Sequence, residues 1–147
     1  MTVGGPTITL SNGVAMPRVG LGTWQVSFYL TFQSLLFQST PQEVKAAVTA
    51  AIDAGYRLID TAAVYQNEEA IGEAIREAIA AGKVTRDELF ITTKLWANDF
   101  NPKNSEGACR DSLKRLGLDH VDLYLAHVPA AFNVRVLFYY VMPRLFY

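Results

Sequence analysis

The chain has 147 residues, 50% hydrophobic and 18% charged, with 13 Lys and Arg against 14 Asp and Glu and a net charge of -1. That is apolar material for one compact domain and too much for a disordered or collagen-like chain, and so balanced a charge leaves no global field to attract nucleic acid or an anionic membrane. The single cysteine, Cys109, cannot form an internal disulfide, and residues 1–17 hold neither Lys or Arg nor the long apolar run of a secretory signal, so a reducing, cytoplasmic setting is expected.

Taken in chain order, Thr7 to Leu10 and Val14 to Met16 flank Ser11-Asn12-Gly13, whose Asn-Gly step supplies the positive φ of a tight turn. A β-hairpin is predicted there, capping one end of a sheet. Four β-rich runs follow, at residues 18–21, 56–60, 89–94 and 121–127, separated by longer amphipathic stretches. That alternation predicts βα units and a parallel sheet. The first helix opens on Thr40-Pro41-Gln42-Glu43, an N-cap, a proline at the first position and a capping-box glutamate. Val44, Ala47, Val48, Ala51 and Ile52 share its apolar face, and Gly55 closes it. The second is capped by Asn67, carries Glu68 and Glu69 at its positive end, buries Ile71, Ala74, Ile75 and Ala78, and stops near Gly82. Its Glu68, Glu69, Glu73, Arg76 and Glu77 read as a solvated face. The third starts around Pro102, buries Cys109, Leu113 and Leu116 and ends at Gly117, which makes Cys109 a small core residue rather than a nucleophile.

Two stretches differ from this middle. Of the 27 charged side chains, 24 lie between Glu43 and Asp122. The uncharged segment 26–40 holds Phe28, Tyr29, Phe32 and Phe37 among Ser, Thr and Gln, and the segment 130–147 is crowded with aromatics and interrupted by Arg135, Pro143 and Arg144. Neither offers the roughly 20 apolar residues of a membrane span.

Three ionisable residues fall at matching places. Asp60, Lys94 and His127 each end a predicted strand, 34 and then 33 residues apart. In a (β/α) barrel the carboxyl ends of parallel strands converge on one mouth, so that spacing gathers the three, and Tyr65, five residues past Asp60, overlooks them. Alone, Asp60 and Lys94 read as an ion pair, Tyr65 as a packed aromatic and His127 as a core histidine. Together they suit protonation of an oxygen that becomes negative. A phenol titrates near pKa 10, too high for an efficient donor at neutrality, and an ammonium ion beside it stabilises the phenolate. Asp60 would hold that ammonium in place, and His127 would donate one N–H to the same oxygen. The site is then suited to carbonyl reduction, given a hydride source. Lys94 as a Schiff-base nucleophile is the rival chemistry. Gly20 and Gly22 form a lone Gly-x-Gly without the rest of a dinucleotide fingerprint, and His120 and His127 lack metal-ligand spacing, so no metal is expected.

These pieces carry a resemblance. Gly20-Leu21-Gly22-Thr23-Trp24, Gly55-Tyr56-Arg57-Leu58-Ile59-Asp60-Thr61-Ala62 running on to Tyr65, Asn67 and Glu68, Thr93-Lys94-Leu95-Trp96, the run from Ser112 to Asp119, and Val121-Asp122-Leu123-Tyr124-Leu125-Ala126-His127 resemble the amino-terminal half of an aldo-keto reductase. The resemblance covers residues 5–25 and 41–129. It implies an α/β fold, a partial TIM (β/α)8 barrel of about four βα units preceded by the hairpin. It further implies an NADPH-dependent (NADP) oxidoreductase that reduces aldehydes or ketones. Tyr65 is then the proton donor, Lys94 and Asp60 its tuning pair and His127 the carbonyl-orienting residue. Gly22, Thr23, Trp24 and Asp60 would lie against the cofactor. Val128 follows His127 where many members have Trp, which changes one wall of the substrate pocket. Residues 1–129 are thus expected to form a partial domain of this family with an insertion near 26–40, and 130–147 a hydrophobic tail foreign to it. A chain with four of eight units is expected to be a truncated relative, with a small carbonyl substrate as its partner. The alternative is a non-catalytic half-barrel that acts by self-association or by pairing with a full-length relative through exposed sheet edges.

Overall fold

The computed structural model describes residues 4–25 and 39–131. The expected insertion at 26–40 falls almost wholly outside them, as does all but the start of the tail at 130–147.

The hairpin forms as expected from β1 (Thr7–Thr9) and β2 (Ala15–Pro17), paired antiparallel with Ile8 opposite Met16. Asn12 Oδ1 accepts from the Val14 N–H at 3.1 Å, and Gly13 takes φ 85°, a conformation open to glycine at no steric cost. The hairpin sits beneath the sheet. Gly4 N–H donates to the Gly55 carbonyl, and a cavity of about 350 Å³ is lined by Thr7, Val14 and Ala15 on one side and Arg57, Leu89 and Asp122 on the other.

Four parallel strands make the main sheet: β3 (Leu21–Gly22), β4 (Leu58–Asp60), β5 (Phe90–Leu95) and β6 (Leu123–Ala126), adjacent in sequence order. Three are shorter than the β-rich runs that announce them, whereas β5 keeps the full length, shifted by one residue. Arg18 belongs instead to the hairpin, where its N–H donates to the Pro6 carbonyl, and Asp122 precedes β6, its carboxylate accepting from the Ile91 N–H at 2.8 Å. Three helices cover one face: α1 (Pro41–Asp53), α2 (Glu68–Ala80) and α3 (Pro102–Leu116). This is an α/β unit of successive βα turns, a part of a barrel wall.

Side-chain alternation sorts the sheet into two faces. Ile59 and Ile91, paired across β4 and β5, are fully buried against Val44, Val48, Ile71, Ile75 and Leu116 of the helices. Asp60, Thr92, Lys94, Leu123 and Leu125 share the other face through the pairs Asp60–Thr92, Thr92–Leu123 and Lys94–Leu125. The predicted face of α1 is buried in full, and its capping box is made, with the Glu43 N–H on Thr40 Oγ1 and the Thr40 N–H on Glu43 Oε2. On α3 the burial is thinner than expected: Ser112 and Leu116 are buried, whereas Cys109 and Leu113 are half-buried. α2 and α3 touch backbone to backbone, since a Cβ at Gly72 would collide with the Leu116 carbonyl. Among the described residues no helix is long and apolar enough to cross a membrane.

The second helix departs from expectation at its first two residues. Glu68 is buried rather than solvated. Its side chain is 0% exposed, Oε1 accepting from Thr93 Oγ1 and Oε2 from Arg115 Nε, both at 2.7 Å. Asn67 stands at the N-cap without capping. Its carboxamide turns away to the sheet, as described below.

Candidate active site

The carboxyl ends of the four strands meet at one mouth. Gly22 lies opposite Asp60 and Asp60 opposite Thr92, so the ends of β3 and β4 stand level, and β5 runs on past them with Lys94 two residues higher. His127 follows β6 directly, its N–H donating to the Leu95 carbonyl at 3.0 Å. The roughly equal sequence spacing therefore becomes one row of side chains, because each βα unit returns the chain to the same height.

Lys94 is the centre of the site. Its ammonium donates to Asp60 Oδ2 at 2.7 Å, to the Thr61 carbonyl at 3.0 Å and to Tyr65 Oη at 3.3 Å, and its side chain is only 13% exposed. An ammonium has three N–H donors, and all three have acceptors here. Because Lys94 donates to Tyr65 Oη, the phenol's own O–H is left to point away from the lysine. Asp60, 37% exposed, compensates a cation that would otherwise be costly to bury.

Tyr65 rides on a short 3-10 turn, Ala63–Tyr65, between β4 and α2. Aromatic rings bracket it. Trp24 lies 4.9 Å away between centroids, and the His127 ring meets it edge-on at 5.4 Å. Trp96 closes on the far side of His127 at 5.2 Å, again edge-on. In this apolar collar the His127 imidazole is held below its usual pKa, first by burial and second by the Lys94 charge, with Asp60 pulling weakly the other way. It is therefore neutral at ordinary pH, with a single N–H to give.

All four residues predicted from the sequence thus stand together: Asp60 and Lys94 in direct contact, Tyr65 on Lys94, His127 against Tyr65. The three proposed cofactor-side residues at the end of β3 and just past it differ among themselves. Gly22 faces open space, and Trp24 is half-exposed beside Tyr65. Thr23 is fully buried, its hydroxyl and N–H both donating to the Asp60 carbonyl at 3.0 Å, so it braces Asp60 from behind. A cleft of about 730 Å³ opens alongside, between the start of α2 and α3, sharing Trp96 with the mouth but holding none of the four.

Sequence reasoning missed Asn67. Its Nδ2 donates to the Thr23 carbonyl at 2.8 Å, and its Oδ1 accepts from Thr61 Oγ1 at 3.2 Å. The only local signal was an asparagine at a helix start, which also describes an ordinary cap.

Comparison with known proteins places the chain in a family. A model described as the aldo/keto reductase family matches residues 18–134. Aldo-keto reductase family 1 member A1-A of Danio rerio is 50% identical over 128 residues, 86% of this chain and 36% of the relative. Methylglyoxal reductase DkgA of Yersinia pestis is 48% identical over 124 residues, 84% of this chain and 38% of the relative. Among solved structures, that of the Bombyx mori aldo-keto reductase AKR2E4 in complex with NADP superimposes with a TM-score of 0.77 at 49% identity, covering 86% of this chain and 39% of that one. The chain thus spans well under half the length of the relatives it matches.

Proposed function

The chain belongs to the aldo/keto reductase family, and from that premise we propose that it is an NADPH-dependent oxidoreductase that reduces aldehydes or ketones to alcohols. Tyr65 gives the proton, Lys94 and Asp60 poise it, and His127 orients the carbonyl. The observation that carries this reading is the chain of contacts from Asp60 through Lys94 to Tyr65 Oη, with its phenol proton free. A carbonyl oxygen settling between Tyr65 and His127 meets two donors, a phenol O–H and a neutral imidazole N–H. Both would then donate to the oxygen on which negative charge develops. The fixed ammonium at 3.3 Å stabilises the phenolate left when Tyr65 gives up its proton.

The residues present fit a nicotinamide on the β3 side of the mouth. Gly22 offers backbone with open space beside it, Trp24 a half-exposed indole, and Asp60 a carboxylate at the same level. When bound, NADPH supplies the hydride to the carbonyl carbon. The Bombyx mori structure holding NADP and the Yersinia pestis relative's name, a methylglyoxal reductase, support this pairing of cofactor and substrate class.

The test is direct. The purified chain should consume NADPH with a simple aldehyde, and Tyr65→Phe should lower turnover by at least about 100-fold, the lower end for a lost general acid, while NADPH fluorescence still reports binding. Absence of both binding and turnover in the parent chain would overturn the reading. A second reading, a non-catalytic unit that associates through its inner face, draws on the exposure of Leu125 at 39% and Trp24 at 49%. Light scattering that shows only monomer removes it.

A further inference from the structure

The carboxamide of Asn67 joins two strand ends that the backbone alone leaves separate. Nδ2 reaches back 44 residues to the Thr23 carbonyl just past β3, while Oδ1 takes the hydroxyl of Thr61 just past β4. Both threonines are fully buried. Each also touches the catalytic row by another atom: Thr23 N–H and Oγ1 donate to the Asp60 carbonyl, and the Thr61 carbonyl accepts from Lys94 Nζ. Asn67 is therefore one residue removed from both Asp60 and Lys94, and two positions along the chain from Tyr65.

The intervening residue is strained. Gln66 has φ 54°, in the left-handed region that a side chain with a Cβ enters at a cost of about 1–2 kcal/mol. Such a conformation persists only where its surroundings hold it. On one side it is held by the 3-10 turn, with the Gln66 N–H on the Ala63 carbonyl, and on the other by Asn67. Meanwhile the helix goes without the side-chain cap that Asn67 is placed to make. The geometry points to a trade in which helix capping is given up to fix the loop that carries the phenol. We propose that Asn67 is a positioning residue of the reductase site, a carboxamide clasp that sets Tyr65 over Lys94. The proposal rests on the function argued above.

The carboxamide meets both requirements at once, since the Thr23 carbonyl takes a donor and the Thr61 hydroxyl an acceptor. This makes Asn67→Asp the informative variant. Aspartate can still accept from Thr61, caps a helix well and places negative charge at its positive end, but turns a second acceptor toward the Thr23 carbonyl. Thermal stability should change little, because the helix cap that aspartate provides offsets the donor that the Thr23 carbonyl loses. Turnover should fall about 10- to 100-fold, the scale of a misplacement near 1 Å, with the KM for NADPH nearly unchanged and the pH profile of kcat displaced. Asn67→Ala should lose a similar factor in turnover and also some stability. Turnover of Asn67→Asp within about twofold of the parent, or a loss matched by a fall in its unfolding midpoint, overturns the proposal. If the parent chain shows no turnover, the functional reading fails by itself. The clasp is then read by nuclear Overhauser contacts between the Tyr65 and His127 rings, expected in the parent and several-fold weaker in Asn67→Asp. Equal intensity in the variant refutes it.

Discussion

Glu68→Gln and Arg115→Met form a pair whose unequal costs follow from where each charge sits. The Glu68 carboxylate is 0% exposed and the Arg115 side chain 36% exposed, 2.7 Å apart at Oε2 and Nε. Glutamine keeps the volume and an acceptor for Thr93 Oγ1 and loses only the charge-assisted bond. Such a bond contributes about 1.5–3 kcal/mol, reduced here because the released guanidinium reaches water, so we expect a cost of about 1–2 kcal/mol. Arg115→Met does the reverse. It leaves a carboxylate in the interior with one threonine hydroxyl, and removing one partner of a buried pair costs about 3–5 kcal/mol. We take the lower end, about 3 kcal/mol, because the site lies near the surface on Arg115's side. At about 2–4 °C per kcal/mol for a chain of this size, the variants should melt about 2–8 °C and about 6–12 °C below the parent. Urea denaturation followed by tryptophan fluorescence reads both. If each costs under about 0.5 kcal/mol, as at a solvated helix face, or if Glu68→Gln is the worse of the two, the burial argument is wrong.

Other outcomes follow from the same geometry. The His127 titration, followed by imidazole NMR, should have its midpoint below 6.5; Lys94→Met should raise it part of the way back, since burial persists, and Asp60→Asn should lower it further. Native His127 binds fewer protons than the unfolded chain between these values. Its contribution is therefore full above about 6.5 and is lost as pH falls through the native midpoint, seen as a lower unfolding midpoint in acid. Gly72→Ala should destabilise by about 1–3 kcal/mol, the range for forcing a methyl into packed structure, and a neutral result would show that α3 slides freely. Tyr124, whose phenol is buried without a hydrogen-bond partner among the described residues and pushed up to about 12 by that burial, should tolerate Phe. Calorimetry should find stability unchanged or up to about 1 kcal/mol higher, and a larger loss would expose a hidden acceptor.

What could be read before any coordinates was whatever periodic or local rules govern. The Thr40 and Glu43 box closes within one helical turn, so four consecutive residues announce it. Asp60, Lys94 and His127 were found because parallel βα units repeat, and a strand end is a place that spacing can count. Asn67 and Glu68 were misjudged for one reason. Local rules assign an asparagine and a glutamate at a helix start to the cap and to solvent, but their partners lie 44, 25 and 47 residues away. Nothing in a helical pattern records a long-range acceptor. Strand limits suffered likewise: Val121, Leu123, Tyr124 and Leu125 make residues 121–127 read as one strand, yet the Asp122 carboxylate takes the Ile91 N–H and an Arg86 guanidinium before the ladder begins.

The bare backbone contact at Gly72 reaches further than packing. Residue 72 lies seven positions from Tyr65, about 6 Å of helix rise beyond the α2 start. A methyl there would press α2 away from α3 near its first turn, the end that follows the turn carrying Tyr65. How flat α2 lies on α3, and with it the height of the turn that carries Tyr65, thus depends on the absence of a single methyl group.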